Sequence, residues 1–74
     1  MNQGTRMNVL LAINSVAIMH RLISIIHDLD ETKTIGYVSC APDAVGLISV
    51  IVPDLLILEV QLRGSSGFEV LKHI

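Results

Sequence analysis

The sequence predicts an α/β fold in which three βα units build a parallel sheet flanked by helices. Two short apolar runs, residues 9–13 and Leu55–Leu58, have the length and composition of strands that are buried on both faces. Between them, residues 16–28 and 44–51 carry apolar side chains at helical spacing. Strands that alternate with helices along a chain are typical of parallel sheets with right-handed crossovers.

The composition predicts one small domain with apolar surface to spare. The chain has 74 residues, of which 51% are apolar and only 16% are charged, and residues 1–74 therefore form a single domain. This apolar content exceeds what a self-contained domain of this size needs, so part of it is predicted to contact a partner. Residues 1–7 are predicted to be flexible.

Charge and cysteine usage exclude several classes of function. A formal net charge of −2 gives no basic surface for direct contact with nucleic acid. Cys40 is the single cysteine, so an intrachain disulfide is excluded and a cytoplasmic, reducing location is predicted. No apolar run approaches the roughly 20 residues of a membrane span, and no membrane association is predicted.

The first helix is predicted over residues 16–28, after the first strand and a cap at Asn14 or Ser15. Its apolar residues fill an arc of about 180°, whereas covering one face of a sheet needs about 100°. The additional width predicts a second neighbour besides the sheet. A more exposed edge strand follows at residues 34–38, where β-prone residues are concentrated.

The second and third helices begin at recognisable signals. Pro42 suits the first turn of a helix, because proline lacks an amide that would be unpaired there, and Pro53 ends the apolar helical pattern. Leu55–Leu58 is then followed directly by Glu59, at the strand end where open parallel sheets place their chemistry. Ser66 and Glu69 form a capping box that predicts a third helix beginning near Gly67.

Three segments, residues 8–15, 34–48 and 53–74, resemble the receiver domain of bacterial two-component response regulators. The most specific is residues 53–71, PDLLILEVQLRGSSGFEVL, with its proline-aspartate pair, apolar run, acid and two glycines. The resemblance spans nearly the whole of residues 8–74. It implies an incomplete flavodoxin-like fold, a sheet in the strand order 2-1-3, and a role in signal transduction.

Three departures limit what the resemblance implies. Glu59 stands where the family has the phosphoacceptor aspartate, and Ile13 and Asn14 stand where it has an acidic pair that holds Mg²⁺. Two further strand–helix units, which carry a Ser/Thr and a Lys, are absent from the sequence. Arg63, where the family usually has proline, is predicted to be a solvated loop charge.

These departures predict a domain that is not phosphorylated and is not an enzyme. Mg²⁺ requires oxygen ligands, of which Ile13 supplies none and Asn14 only a neutral carbonyl. Without the metal, nothing neutralises the charge that develops in phosphoryl transfer. No metal and no cofactor are therefore expected. Glu59 itself has two interpretations: a mimic of a phosphorylated aspartate, or a solvated carboxylate at a strand end.

The apolar excess predicts a homo-oligomer, a dimer or higher, with a signalling protein as the other class of partner. In the family, a fourth strand pairs with the third and a last helix covers part of the first. In this chain both surfaces are predicted to be open. The interface candidates are Leu56, Leu58 and Val60 at the third strand and Ile18 and Ile25 on the first helix.

Three functions remain open at this point. The leading one is a phosphorylation-independent protein-interaction module that associates with itself. The alternative is an N-terminal piece of a longer response regulator that controls transcription through a separate output domain. The third is a working phosphoacceptor.

Overall fold

The elements of the chain follow the predicted βα alternation, with one additional hairpin. The structure, a computed structural model, describes residues 7–29 and 31–74. In chain order the elements are β1 (Met7–Ala12), α1 (Val16–His27), β2 (Thr32–Val38), α2 (Ala41–Val50), β3 (Leu55–Leu58), β4 (Gln61–Leu62), β5 (Ser65–Ser66) and α3 (Gly67–Leu71).

The three long strands form one parallel sheet in the order β2-β1-β3, which confirms the predicted order. The central strand β1 is buried on both sides, and Leu11 and Ala12 are fully buried. Leu11 pairs with Tyr37 of β2 and with Ile57 of β3. β1 is therefore the strand on which both layers of the core are built.

The two faces of the sheet carry separate hydrophobic clusters. On one face, α1 packs on β1, and the buried residues are Val9, Leu11, Ile13, Met19 and Ile26. On the other face, α2 and α3 pack on the sheet, and the buried residues are Ala12, Ala41, Ala44, Leu62 and Val70. This arrangement gives a three-layer α/β fold with one helix on one face and two helices on the other.

Each helix has a different cap. Ser15, one of the two predicted caps of α1, accepts a hydrogen bond from the Ile18 N–H at 3.3 Å. In α3, Ser66 Oγ accepts a hydrogen bond from the Phe68 N–H at 3.1 Å. The predicted capping box would use the N–H of the next residue, Glu69. The first amide of α2, that of Ala41, donates to Ser65 Oγ at 2.9 Å, across 24 residues of sequence.

Several boundaries differ from the sequence-based expectations. Met7 was predicted to be flexible, but it is the first residue of β1, and its N–H donates to the Glu31 carbonyl at 2.7 Å. The same prediction covered residues 1–6, which lie outside the described residues. β2 begins two residues earlier than predicted, and most of its residues are half-buried. Within the described residues, no helix is long and apolar enough to cross a bilayer.

The β4–β5 hairpin was not predicted. Its turn contains Gly64, whose φ of 63° lies in the left-handed region that glycine adopts without strain. Two-residue strands give almost no periodic signal, so only Gly64, a residue typical of turns, could have indicated the hairpin. Leu62, on β4, is 4% exposed and anchors the hairpin in the second core cluster.

Candidate functional site

Glu59 lies at the carboxyl end of β3, beside the carboxyl end of β1. Its N–H donates to the Ala12 carbonyl at 2.9 Å, which continues the ladder between the two strands. Its side-chain Oε1 accepts a hydrogen bond from the Asn14 N–H at 2.7 Å. The structure therefore brings together Glu59 and the loop that carries Ile13 and Asn14, as the parallel sheet predicts.

Ile13 and Asn14 occupy different environments, although they are adjacent in sequence. Ile13 is 5% exposed and belongs to the core cluster beneath α1, and its N–H donates to the Val38 carbonyl at 3.0 Å. Asn14 is exposed and offers its backbone amide to Glu59. Within residues 7–29 and 31–74, no group of three or more His, Cys, Asp or Glu residues could hold a metal ion.

Glu59 acts as a tether between β3 and the start of α1. Glu59 is half-buried, and it accepts a hydrogen bond from the Asn14 N–H, one residue before the Ser15 cap of α1. The first turn of α1 contains no acidic residue of its own. A carboxylate near a helix N-terminus is stabilised by the unpaired amides and the dipole of the helix. Glu59 is thus a carboxylate at a strand end, and its side chain also spans the gap between two loops by accepting the Asn14 amide.

We expect Glu59→Ala to lower the free energy of unfolding by about 1 kcal/mol, because the Asn14 amide loses its acceptor. Glu59→Gln retains an oxygen at the same distance and should lose less than half of that amount. Urea unfolding at one fixed protein concentration measures both variants. Equal losses for alanine and glutamine would contradict the assignment of the hydrogen bond as the cause.

A second set of contacts, which sequence reasoning missed, joins the β4–β5 hairpin to the start of α2. Ser65 Oγ accepts from the Ala41 N–H and donates to the Arg63 carbonyl at 3.1 Å. The Arg63 N–H donates to the Ser39 carbonyl at 2.8 Å. The Arg63 side chain is exposed, as predicted, but proline at this position would have no N–H to make the bond.

The predicted interface residues fall into two groups. Leu56 and Leu58 are half-buried, and their side chains pack against the cluster that contains Ala44 and Val70. Their side chains are thus largely used within the chain. The other candidates, Ile18, Ile25 and Val60, are exposed to 50%, 57% and 59%.

The backbone of β3, rather than its leucine side chains, provides the open edge. Leu58 is paired with Ala12, and the Glu59 N–H donates to the Ala12 carbonyl. In a parallel ladder a residue bonds to the two neighbours of its paired residue, so Ile57 and Glu59 direct their backbone groups towards β1. Hydrogen bonds alternate along a strand, so the backbone groups of Leu56 and Leu58 point away from β1. Within the described residues, no strand pairs with this side of β3.

The open edge is short, because the chain covers its carboxyl end. The Val60 carbonyl accepts a hydrogen bond from the Gly67 N–H at 2.7 Å. Gly67 is itself buried against the backbone of Glu59 at the start of α3. The unpaired stretch is therefore confined to the four residues of β3 itself.

Comparison with solved structures identifies the fold, whereas no protein-family model and no curated protein sequence matches the chain. Seven solved chains match. One is the response regulator domain of Thermotoga maritima CheB, with a TM-score of 0.87 and 25% sequence identity; the match covers 93% of this chain and 52% of that chain. Another is a LuxR-family two-component response regulator from Aurantimonas sp. SI85-9A1, with a TM-score of 0.84 and 18% identity, covering 95% of this chain and 50% of that chain.

These similarities define the class of protein. The chain has a receiver-like, flavodoxin-like fold, and the resemblance read from residues 53–71 is confirmed at the level of the fold. The chain spans about half the length of the structures that it matches. A fold of this class supports a role in signal transduction in general terms, and its particular chemistry depends on the site residues.

Proposed function

We propose that this chain is a phosphorylation-independent, receiver-like interaction module that associates with itself and has no enzymatic activity. The observation that carries the proposal is the unpaired edge of β3, which has no charged residue or proline between Leu55 and Leu58. Edge strands in soluble proteins are commonly protected by a short length, charges, prolines or bulges, and β3, with four residues, has only the first of these. An edge without charges, prolines or bulges is suited to pairing with another chain.

Phosphorylation independence is supported by the surroundings of Glu59. A phosphoacceptor of this fold would need oxygen ligands for a metal ion beside the accepting carboxylate. The Ile13 side chain is buried among apolar residues and carries no oxygen, and Oε1 of Glu59 already accepts the Asn14 amide. The module therefore needs neither a metal nor a cofactor, and we place it in the cytoplasm, where a single reduced cysteine is stable.

Self-association is tested by measuring the mass in solution. We expect light scattering over a range of protein concentrations to give at least twice the chain mass of 8.1 kDa. The expected partner is a second copy, with another signalling protein as the alternative and no direct contact with nucleic acid. A well-folded monomer at all concentrations would refute this function.

We expect no phosphorylation when the protein is incubated with a small phosphodonor and Mg²⁺. The physical reason is that the described part of the chain offers no cluster of His, Cys, Asp or Glu side chains to hold the metal ion that would neutralise the charge of the transferred group. Intact mass spectrometry measures the result, and a receiver domain with an aspartate at the position of Glu59 serves as the positive control. An added phosphate on Glu59 would show that the domain is a working phosphoacceptor.

A second candidate function is favoured by the extent of the structural matches. The chain covers 52% and 50% of the two response regulator structures, so it also fits the first part of a longer regulator. In that case the open edge of β3 would pair with a later strand of the same chain, and an output domain would control transcription. Immunoblotting of the native protein distinguishes the two, since the second candidate predicts a much larger mass.

A further inference from the structure

The two flanks of α1 have different neighbours. Ile23 and His27 line a groove together with Thr32 and Thr34 of β2, so this flank faces β2. Met19 and Ile26 are buried beneath the helix. The opposite flank, which carries the exposed Ile18 and Ile25, therefore lies on the side of β3, and the two residues are two turns apart, about 10 Å along the helix.

The flanks of α3 are divided in the same way on the other face of the sheet. Glu69 of α3 and His73, two residues beyond its end, line a groove together with Pro42 and Val45 of α2, so this flank faces α2. The opposite flank carries Phe68 and Leu71, which are exposed to 59% and 51%. On each face of the sheet, an apolar helix flank therefore lies on the side that faces away from β2 or α2, towards β3.

The structure points to one way in which this edge is covered. We infer that two copies pair antiparallel through β3 and form a continuous six-stranded sheet in the order 2-1-3-3-1-2. This inference rests on the proposed self-association and specifies its geometry. A two-fold axis perpendicular to the sheet relates the copies, so the α1 flanks meet on one face and the α3 flanks meet on the other.

Matching of the helix lengths favours this arrangement over a parallel one. Parallel pairing would turn one copy over and place the 12-residue α1 against the five-residue α3 of the partner. Antiparallel pairing places each helix flank against an equal one, and antiparallel ladders are also slightly more stable per residue. The contact then includes the flank residues Ile18, Ile25, Phe68 and Leu71, each at least half exposed.

The amount of apolar surface suits a second copy. A large apolar side chain such as that of Phe68, at 59% exposure, offers roughly 100 Å² or more. With the other flank residues and Val60, the exposed apolar side chains around this edge offer several hundred Å². The backbone and side chains of β3 add to this area, and a stable dimer needs roughly 800 Å² from each partner.

The direction of the backbone groups determines the register. Leu56 and Leu58 present their N–H and C=O groups to the edge, and the Val60 carbonyl is already bonded to the Gly67 N–H. Both leucines find a partner within β3 only when Leu56 of one copy is paired with Leu58 of the other. Ile57 then lies on the two-fold axis, opposite Ile57 of the partner subunit. In antiparallel pairs of this kind the Cβ atoms are about 5 Å apart, which is close enough for a disulfide after modest adjustment.

Disulfide trapping tests this register. Ile57→Cys in a Cys40→Ser background should form a covalent dimer on mild oxidation, at least tenfold faster than Tyr37→Cys in the same background. Tyr37 is a suitable control because it is 60% exposed and lies on β2, at the opposite edge of the sheet. Both variants are compared at a concentration where the unmodified protein is dimeric.

Amide exchange of the unmodified protein provides a second measurement, which does not depend on how the cysteine variant folds. The Leu56 and Leu58 amides should be protected at least tenfold more in the dimer than after dilution to monomer. A dimer without Ile57 crosslinking and without this protection would overturn the β3 pairing and leave self-association standing. A monomer at all concentrations would overturn both, and would leave the edge to a strand of a longer chain.

Discussion

Gly67→Ala is expected to lower the free energy of unfolding by about 3 kcal/mol, at the upper end of the cost of overpacking a buried site. Gly67 is buried at the first position of α3, and its N–H donates to the Val60 carbonyl. A Cβ at this position would collide with the carbonyl oxygen of Glu59. For a chain of this size such a loss is a large part of the total stability.

The collision cannot be relieved by a side-chain movement. The obstructing atom belongs to the backbone of Glu59, which is fixed by the bond of its N–H to Ala12 and by the bond of its side chain to Asn14. α3 would have to move away from the sheet, and the fully buried Val70 would move with it. The expected loss therefore combines steric strain with lost packing.

Gly46→Ala is the matched control for this substitution. Gly46 lies in the interior of α2, is exposed, and has no atom within 4 Å of an added Cβ. Alanine there should raise the stability by up to about 1 kcal/mol, because glycine is the poorer helix former. Urea unfolding of both variants at one protein concentration gives the comparison, and equal effects would contradict the packing described for Gly67.

The double substitution Ile18→Glu and Ile25→Glu is expected to abolish self-association. Both side chains are at least half exposed, so the fold of the single chain should be retained. In the proposed dimer the two α1 flanks face each other, and four carboxylates would replace an apolar contact. Like charges at an interface cost several kcal/mol, and 3 kcal/mol alone weakens the dimer by roughly 100-fold.

The control introduces the same number of charges away from the proposed contact. Val16→Glu with Tyr37→Glu changes two residues that are 64% and 60% exposed, on α1 and on the far edge strand β2. This variant should keep the mass of the unmodified protein in light scattering at equal concentration. A dimer that persists in the Ile18 and Ile25 variant would exclude the α1 flank from the interface.

Short-range patterns were sufficient for the three long strands, the three helices and their order along the chain, but not for the β4–β5 hairpin. The apolar runs around Leu11 and Leu56, the cap at Ser15 and the proline in the first turn of α2 are properties of neighbouring residues, and they predicted strands and helices within a few residues. The position of Glu59 at a strand end also followed from the local sequence. These features depend on backbone propensity and on burial, both of which act within a few residues.

Only the tertiary structure decided which distant groups meet. The bond from the Asn14 amide to Glu59 spans 45 residues, and the bond that caps α2 with Ser65 spans 24. The same packing turned the side chains of Leu56 and Leu58 into the core and left Phe68 exposed. Such contacts depend on how the layers pack in three dimensions, because a single polar residue carries no period that identifies its partner far along the chain.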